Sequence, residues 1–246
     1  MKRGFFDLRH VVSADVVCLQ ETRCDDAASI GCALGFEAVA ADRRRDESGK
    51  LAHGGVAIFS RHPIRMQNMH TEEALRTRGQ FVCCTITGVN VASVYVSQDA
   101  QPKQFPALNY LFSKLRADGA AAVVCGDMNT FRDARDSWSF ANSLRIRGVG
   151  CDSGAMAWSN GLLLGDWVDA IEADYPKRPL YTWWQRPDLF DRGDGTRLDY
   201  ILVSKTAHGR VIPQSAAVMT DERFGGHAQV MLTLKPDKAP GASDLG

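Results

Sequence analysis

Short apolar runs, broken by glycine, charge or a lone polar residue, set the pattern of this chain. Residues 14–20 (ADVVCLQ), 54–60 (GGVAIFS), 81–87 (FVCCTIT), 91–96 (VASVYV), 121–125 (AAVVC) and 197–204 (RLDYILVS) are such runs. They lack helical periodicity and are rich in β-branched residues, so they predict buried strands. Residues 36–40 predict another strand, an extended piece starts at Pro63, and strands are expected over 210–219 and 228–234. Gly88-Val89-Asn90, between two runs, predicts a hairpin. From 102 to 118, Phe105, Leu108, Leu111, Phe112 and Leu115 fall at helical spacing and predict an amphipathic helix. Shorter helices are expected at 4–8 and 25–34, the second ended by Gly35. Trp138, Phe140, Leu144 and residues 162–171 suggest helices around a Gly/Ser-rich loop at 149–161. No repeat or linker divides the chain. The expectation is a single α/β domain over residues 1–234, with two packed mixed β-sheets flanked by helices. Residues 235–246, rich in Lys, Pro, Gly and Ser, are expected to be a disordered tail.

Polar residues stand where several of these runs begin or end. Asp127 and Asn129 follow the run that stops at Gly126, on what reads as a loop at the strand's carboxyl end. In α/β sheets that edge is where ligands bind, and side chains at i and i+2 of an extended chain point the same way. Glu21 follows residues 14–20, Tyr95 lies near the end of its run, Asp199 near the start of another, and His227 just before the last strand. Glu21 reads either as a salt-bridged loop residue or as a metal ligand. Together the set suits metal-assisted phosphodiester hydrolysis. Carboxylates hold a hard divalent cation, a carboxylate or phenol activates water, and a histidine held by an aspartate steadies the phosphate.

Composition narrows the partners. Lys+Arg and Asp+Glu both number 29, so the formal net charge is +0 and nucleic-acid binding requires a local basic face. Arg43, Arg44, Arg45, Arg76 and Arg78 are candidates for it, or equally for scattered surface charge. The seven cysteines form no CxxC pair and several sit in apolar runs, which reads as reduced core thiols in a cytoplasmic protein. No run is long enough to cross a bilayer as a helix, and MKRGFFDLRH has no apolar signal core.

With these residues in view, the chain resembles a known family. LQET at 19–22, GVAIFSR at 55–61, VYV at 94–96, GDMN at 126–129, YTWW at 181–184 and RLDYILVS at 197–204 are similar to motifs of the exodeoxyribonuclease III and apurinic/apyrimidinic endonucleases. These form one branch of the endonuclease/exonuclease/phosphatase superfamily. The motifs stand in the family's order and span nearly the whole chain. The resemblance implies a four-layered α/β sandwich. It also implies a monomeric DNA-repair nuclease, dependent on Mg²⁺ (or Mn²⁺), that acts on double-stranded DNA with an abasic site or a recessed 3′ end. Glu21 would bind the metal, Asp127 would activate the attacking water, and Asn129 would lie beside it on the phosphate. Tyr95 would contact the scissile phosphate, and Asp199 would hold His227 against the developing charge. Trp183 would line the pocket for an extrahelical sugar or terminal nucleotide.

Departures from the family pattern fall in the same region. KRGFFD matches the helix that follows the family's first strand, so the strand with its WNxNG-like motif is expected upstream of it or lost. Gly225-Gly226-His227 stands for Ser-Asp-His, Gly79-Gln80 for Gly-Arg, Ser97-Gln98 for Pro-Asn, and Thr196 for the Trp before Arg-Leu-Asp-Tyr. The metal shell is then expected to rest on Glu21 and water, with weakened or altered activity. The alternatives are a non-catalytic DNA- or phosphate-binding relative and a small-molecule or lipid phosphodiesterase. The YTWW and RLDY pairing argues against the last.

Overall fold

The computed structural model describes residues 13–24, 26–40, 54–66, 80–98, 101–138, 161, 165–176, 180–224 and 226–236. Its centre is a six-stranded sheet, ordered β4 (Ile64–Met66), β5 (Phe81–Ile86), β6 (Val89–Tyr95), β7 (Ala122–Asp127), β9 (Asp199–Ser204) and β8 (Trp167–Asp169). The β6–β7 pair is parallel and the other pairs are antiparallel, so this sheet is mixed. The parallel pair is the one joined by a long crossover, which holds α2 (Gln101–Leu115), as such a pair requires. Over one face lies a three-stranded antiparallel sheet, β1 (Val16–Gln20), β3 (Val56–Ser60) and β2 (Glu37–Ala40), ordered β1-β3-β2. A hairpin of β10 (Ala217–Phe224) and β11 (His227–Met231) completes the strands seen among the described residues.

Each layer follows from which residues are apolar on both faces. Every residue of β3 and β9 is buried. Val56, Ile58, Val82, Cys84, Val91, Val123, Ile201 and Val203 fill the space between the two sheets. On the far face of the large sheet, Phe105, Leu108, Leu111, Phe112 and Leu115 of α2 meet Phe81, Val94, Val124, Tyr200 and Leu202. The outer face of the small sheet is closed by Ala27 of α1 (Ala27–Ala33), with Phe36, Ala57 and Phe59. The four layers are therefore α1, small sheet, large sheet and α2, as the family resemblance implies. Burial pushes the thiols of Cys83 and Cys84 up to about 12 and about 11, and both are free and buried. Among the described residues no helix is long and apolar enough to cross a membrane.

Several local expectations need correction. The hairpin turns at Thr87 and Gly88, both at positive φ (45° and 76°), and Val89 and Asn90 already belong to β6. Two residues with φ > 0 give the tight turn whose twist suits a hairpin. Residues 162–171 do not form a helix throughout: Trp167–Asp169 is edge strand β8, and α3 (Ala170–Asp174) starts after it, capped by Asp169. Residues 210–216 lie in turns and a single bridge, and the strand runs from Ala217 to Phe224 instead, through a bulge between Met219 and Arg223. Its polar Thr220-Asp221-Glu222-Arg223 segment hides the strand from a reading based on apolar runs. Lys235 remains bonded to the fold through Arg210 O. The expectations at 4–8, on Arg43 to Arg45, Arg76 and Arg78, and over 139–160 and 237–246 lie outside the described residues.

Candidate functional site

Sheet register assembles the site. β6 and β7 place Tyr95 beside Asp127, and β7 and β9 place Asp127 beside Asp199. Three chemistry-bearing residues thus form one row across three adjacent strands. Asp127 is the last residue of β7 rather than a loop residue, and Gly126 before it leaves no room for a Cβ, which would lie 2.1 Å from Val94 O. The glycine therefore serves close strand packing rather than a turn.

Asn129 comes to Asp127 by a different route from the expected i, i+2 alternation. Its φ is 47°, left-handed rather than extended, a conformation asparagine tolerates better than most residues. Its side chain folds back. Asn129 N–H donates to Asp127 Oδ1 (2.8 Å), and Asn129 Nδ2 donates to Asp127 Oδ2 (3.2 Å) and to Val96 O (2.8 Å).

His227 opens β11 and is brought in by a bridge to Trp183 and by Ala228 N–H donating to Thr182 O (2.7 Å). Its Nδ1 lies 3.0 Å from Asp199 Oδ2. Thr182 Oγ1 accepts from the N–H groups of both Leu198 and Asp199 (3.0 Å each), so the YTWW segment sets where β9 begins. Glu21 follows β1 at φ 49°, and its Oε1 accepts from Tyr95 Oη (2.5 Å), with Arg23 on the other carboxylate oxygen. Trp183 is half-buried. It packs on Phe131 and Leu198, and its ring centroid lies 6.3 Å from that of His227.

The electrostatics follow from burying acids together. Burial, then the charge of Asp199, raises Asp127 to about 8, against the opposing pull of His227. Burial alone would lower the His227 imidazole, but Asp199, Asp127 and Glu21 outweigh it and raise its pKa to about 9. Burial and then Glu21 hold the Tyr95 phenol protonated, well above its usual range. Asp127, Asp199 and His227 present ligand atoms within 4.8 Å of one another. Two buried carboxylates, with Glu21 beside them, face one imidazole. Such an excess of hard oxygen donors suits a divalent cation. Glu21 stands outside that tight cluster and reaches it through Tyr95.

A brace missed by sequence reasoning holds the start of β9. Arg197 is 3% exposed, with its Nη2 within 2.5 Å of both Asp169 carboxylate oxygens, its Nη1 3.9 Å from Asp136 and its guanidinium 4.7 Å over the Tyr200 ring. The available signal was an arginine opening an otherwise apolar run, which needs a buried acid to accompany it.

Comparison with known proteins agrees with this geometry. The model of the Endonuclease/Exonuclease/phosphatase family matches residues 3–217. The chain belongs to that family. An exodeoxyribonuclease of Bacillus subtilis is 24% identical over 246 residues, covering 95% of this chain and 93% of the relative. Among solved structures, a Neisseria protein described as the 3′ phosphatase NExo, bound to a product DNA hairpin, superposes with a TM-score of 0.77 at 23% identity, covering 92% of this chain and 91% of the other. An AP endonuclease of Archaeoglobus fulgidus gives 0.77 at 20% identity, covering 91% and 90%. These likenesses establish the shared fold.

Proposed function

We propose that the protein hydrolyses phosphoester bonds at the 3′ ends of DNA, as a 3′-phosphatase or 3′-exonuclease of the exodeoxyribonuclease III type. The observation that carries this is the row Tyr95, Asp127, Asp199 across three strands, closed by His227 on Asp199. Asp127, fixed by both nitrogens of Asn129, accepts the proton of the attacking water. His227, raised to about 9, is cationic there; with Nδ1 held by Asp199, its Nε2–H is left to donate to the charge developing on the phosphoryl oxygens. Tyr95, kept protonated, orients Glu21. Asp127 and Asp199, whose ligand atoms cluster, with Glu21 beside them through Tyr95, would hold Mg²⁺ or Mn²⁺, which would supply further stabilisation of phosphoryl charge.

The choice of a terminal substrate over an abasic site is supported by Thr196. Where the family's wall tryptophan is expected, Thr196 is 1% exposed, pairs with Ser137 and Trp183, and has its hydroxyl 3.3 Å from Ser137 Oγ. A small side chain turned into the fold builds no wall for an extrahelical sugar, and Trp183 alone stacks on a terminal nucleotide. The test is a panel of duplexes with millimolar Mg²⁺: one with a 3′-phosphate, one with a recessed 3′-hydroxyl and one with an internal abasic site. The two 3′-end substrates should turn over and the abasic site lag behind. Preferential incision at the abasic site would overturn the choice of substrate.

A non-catalytic relative is the second reading, and Gly226 favours it. Its φ is +88°, and a Cβ there would lie 3.0 Å from Trp184 O. A carboxylate side chain at this position would therefore be strained by the backbone conformation and crowded by Trp184 O. This second reading gives salt-dependent duplex binding without cleavage.

A further inference from the structure

Beside the catalytic row lies a closed ring of hydrogen bonds in a place where apolar packing is expected. Gln80 and Gln104 are both 0% exposed and Ser97 is 5% exposed. Gln104 Nε2 donates to Gln80 Oε1, Gln80 Nε2 donates to Ser97 Oγ, and Ser97 N–H donates to Gln104 Oε1 (3.0 Å). Gln80 precedes β5 and also accepts from Tyr95 N–H (2.9 Å) through its carbonyl, while Gln104 belongs to α2. Ser97 is therefore tied by main chain and side chain to two different elements, where an apolar core would have been simpler to desolvate.

The next residue shows what the tie is for. Gln98 is exposed, and its Nε2 donates to Asn129 Oδ1 (3.0 Å). Asn129 turns its Nδ2 to Val96 O and to Asp127 Oδ2. With the Asn129 amide reversed, its oxygen would face the Val96 carbonyl and the Asp127 carboxylate, and its NH₂ would face the Gln98 donor. Val96 O and Asp127 set which way the Asn129 amide faces, and Gln98, turning its NH₂ to Asn129 Oδ1, locks it there. Gln80 and Ser97, two departures from the family pattern, belong to the ring, and Gln98, a third, follows Ser97 directly in the chain.

We propose that Gln98 is a positioning residue that acts through Asn129 on Asp127, and that the Gln80–Ser97–Gln104 ring is the mount that sets its reach. This rests on the hydrolytic reading above. It predicts that Gln98→Leu lowers kcat ten- to a hundred-fold, the order expected when a reacting group is misplaced, with KM for a 3′-phosphorylated duplex within about twofold. Gln104→Met should lower kcat similarly, and the double variant should fall no further than Gln98→Leu alone, because both act along one path. Gln98→Glu, which sets a carboxylate oxygen against Asn129 Oδ1, should lose activity as well. Additive losses, or a raised KM with kcat unchanged, would overturn the proposal by making Gln98 a substrate contact and the ring ordinary packing.

A second readout separates this inference from the activity itself. The Asn129 side-chain NH₂ resonances, assigned by their loss in Asn129→Asp, should be resolved and slow to exchange. They should shift and exchange faster in Gln98→Leu and in Gln104→Met. If wild-type protein shows no turnover, the hydrolytic reading fails while these resonances still report the lock. Unchanged resonances in both variants would overturn the lock whether or not the protein turns over.

Discussion

At the scale of single residues, the candidate site sets Asp127, which burial makes reluctant to ionise, beside a histidine that its acidic neighbours make reluctant to lose its proton. The sign of the pH dependence follows. His227 is raised from 6.5 to about 9, so its stabilising charge is fully present below pH 6.5 and is lost as pH rises through 9. Asp127 is raised from 3.8 to about 8, so its protonated form suits the fold and the penalty of ionising it builds up over that interval. Both trends point the same way, and Tm of metal-free protein should fall between about pH 6.5 and 9. Asp199→Asn, which removes the main partner of His227, should flatten the upper part of that fall. A profile of unchanged slope in Asp199→Asn would show that the pair is not what sets it. Gly226→Asp should destabilise the protein and not raise its activity, because φ +88° strains any L side chain and Trp184 O crowds the Cβ. Thermal melts and a turnover assay of that variant decide the point.

At the scale of elements, β9 is the piece on which the site hangs. Its first residue is Asp199, the N–H groups of Asp199 and of Leu198 before it donate to Thr182 Oγ1, and Arg197 anchors its approach on Asp169. Asp169 also caps α3 through the N–H groups of Ile171 and Glu172. Asp169→Ala would leave the buried Arg197 without its bidentate partner, and a loss of ~3–5 kcal/mol is the order expected for breaking a buried pair. Urea unfolding measures it; a loss below ~1 kcal/mol would mean that Arg197 is held mainly by Asp136 and Tyr200. This level also shows what sequence reading captures. Runs apolar on both faces, such as β3, β5 and β7, are legible because a strand buried on both sides shows consecutive apolar residues. So are the polar residues at their ends, since register alone brings Tyr95, Asp127 and Asp199 into line. What is hidden depends on tertiary partners. β10 is polar along half its length, the Thr87-Gly88 turn is set by left-handed φ values, and Arg197, Asp169, Thr182 and Gln98 gain meaning only from residues distant in sequence.

At the scale of the whole molecule, the proposed action on DNA requires local charge, because the formal net charge is +0. On the described surface Arg223 lies 3.5 Å over the Phe190 ring and 5.8 Å from that of Trp184. Arg186 and Arg192 are each well exposed and paired with one aspartate. Duplex binding should therefore weaken with salt, with a log–log slope of only a few units, less steep than that of a strongly basic protein. Fluorescence anisotropy from 50 to 200 mM salt measures the slope, and binding indifferent to salt would rule out this surface. The central claim is that the row Tyr95, Asp127, Asp199, with His227, hydrolyses a phosphoester. The most direct measurement is single-turnover release of phosphate from a 3′-phosphorylated duplex with millimolar Mg²⁺, comparing wild type with Asp127→Ala and His227→Ala. Wild-type release should exceed both variants by on the order of 10²–10³-fold, the scale of losing one preorganised catalytic group. Wild-type release no faster than that of Asp127→Ala would contradict the account.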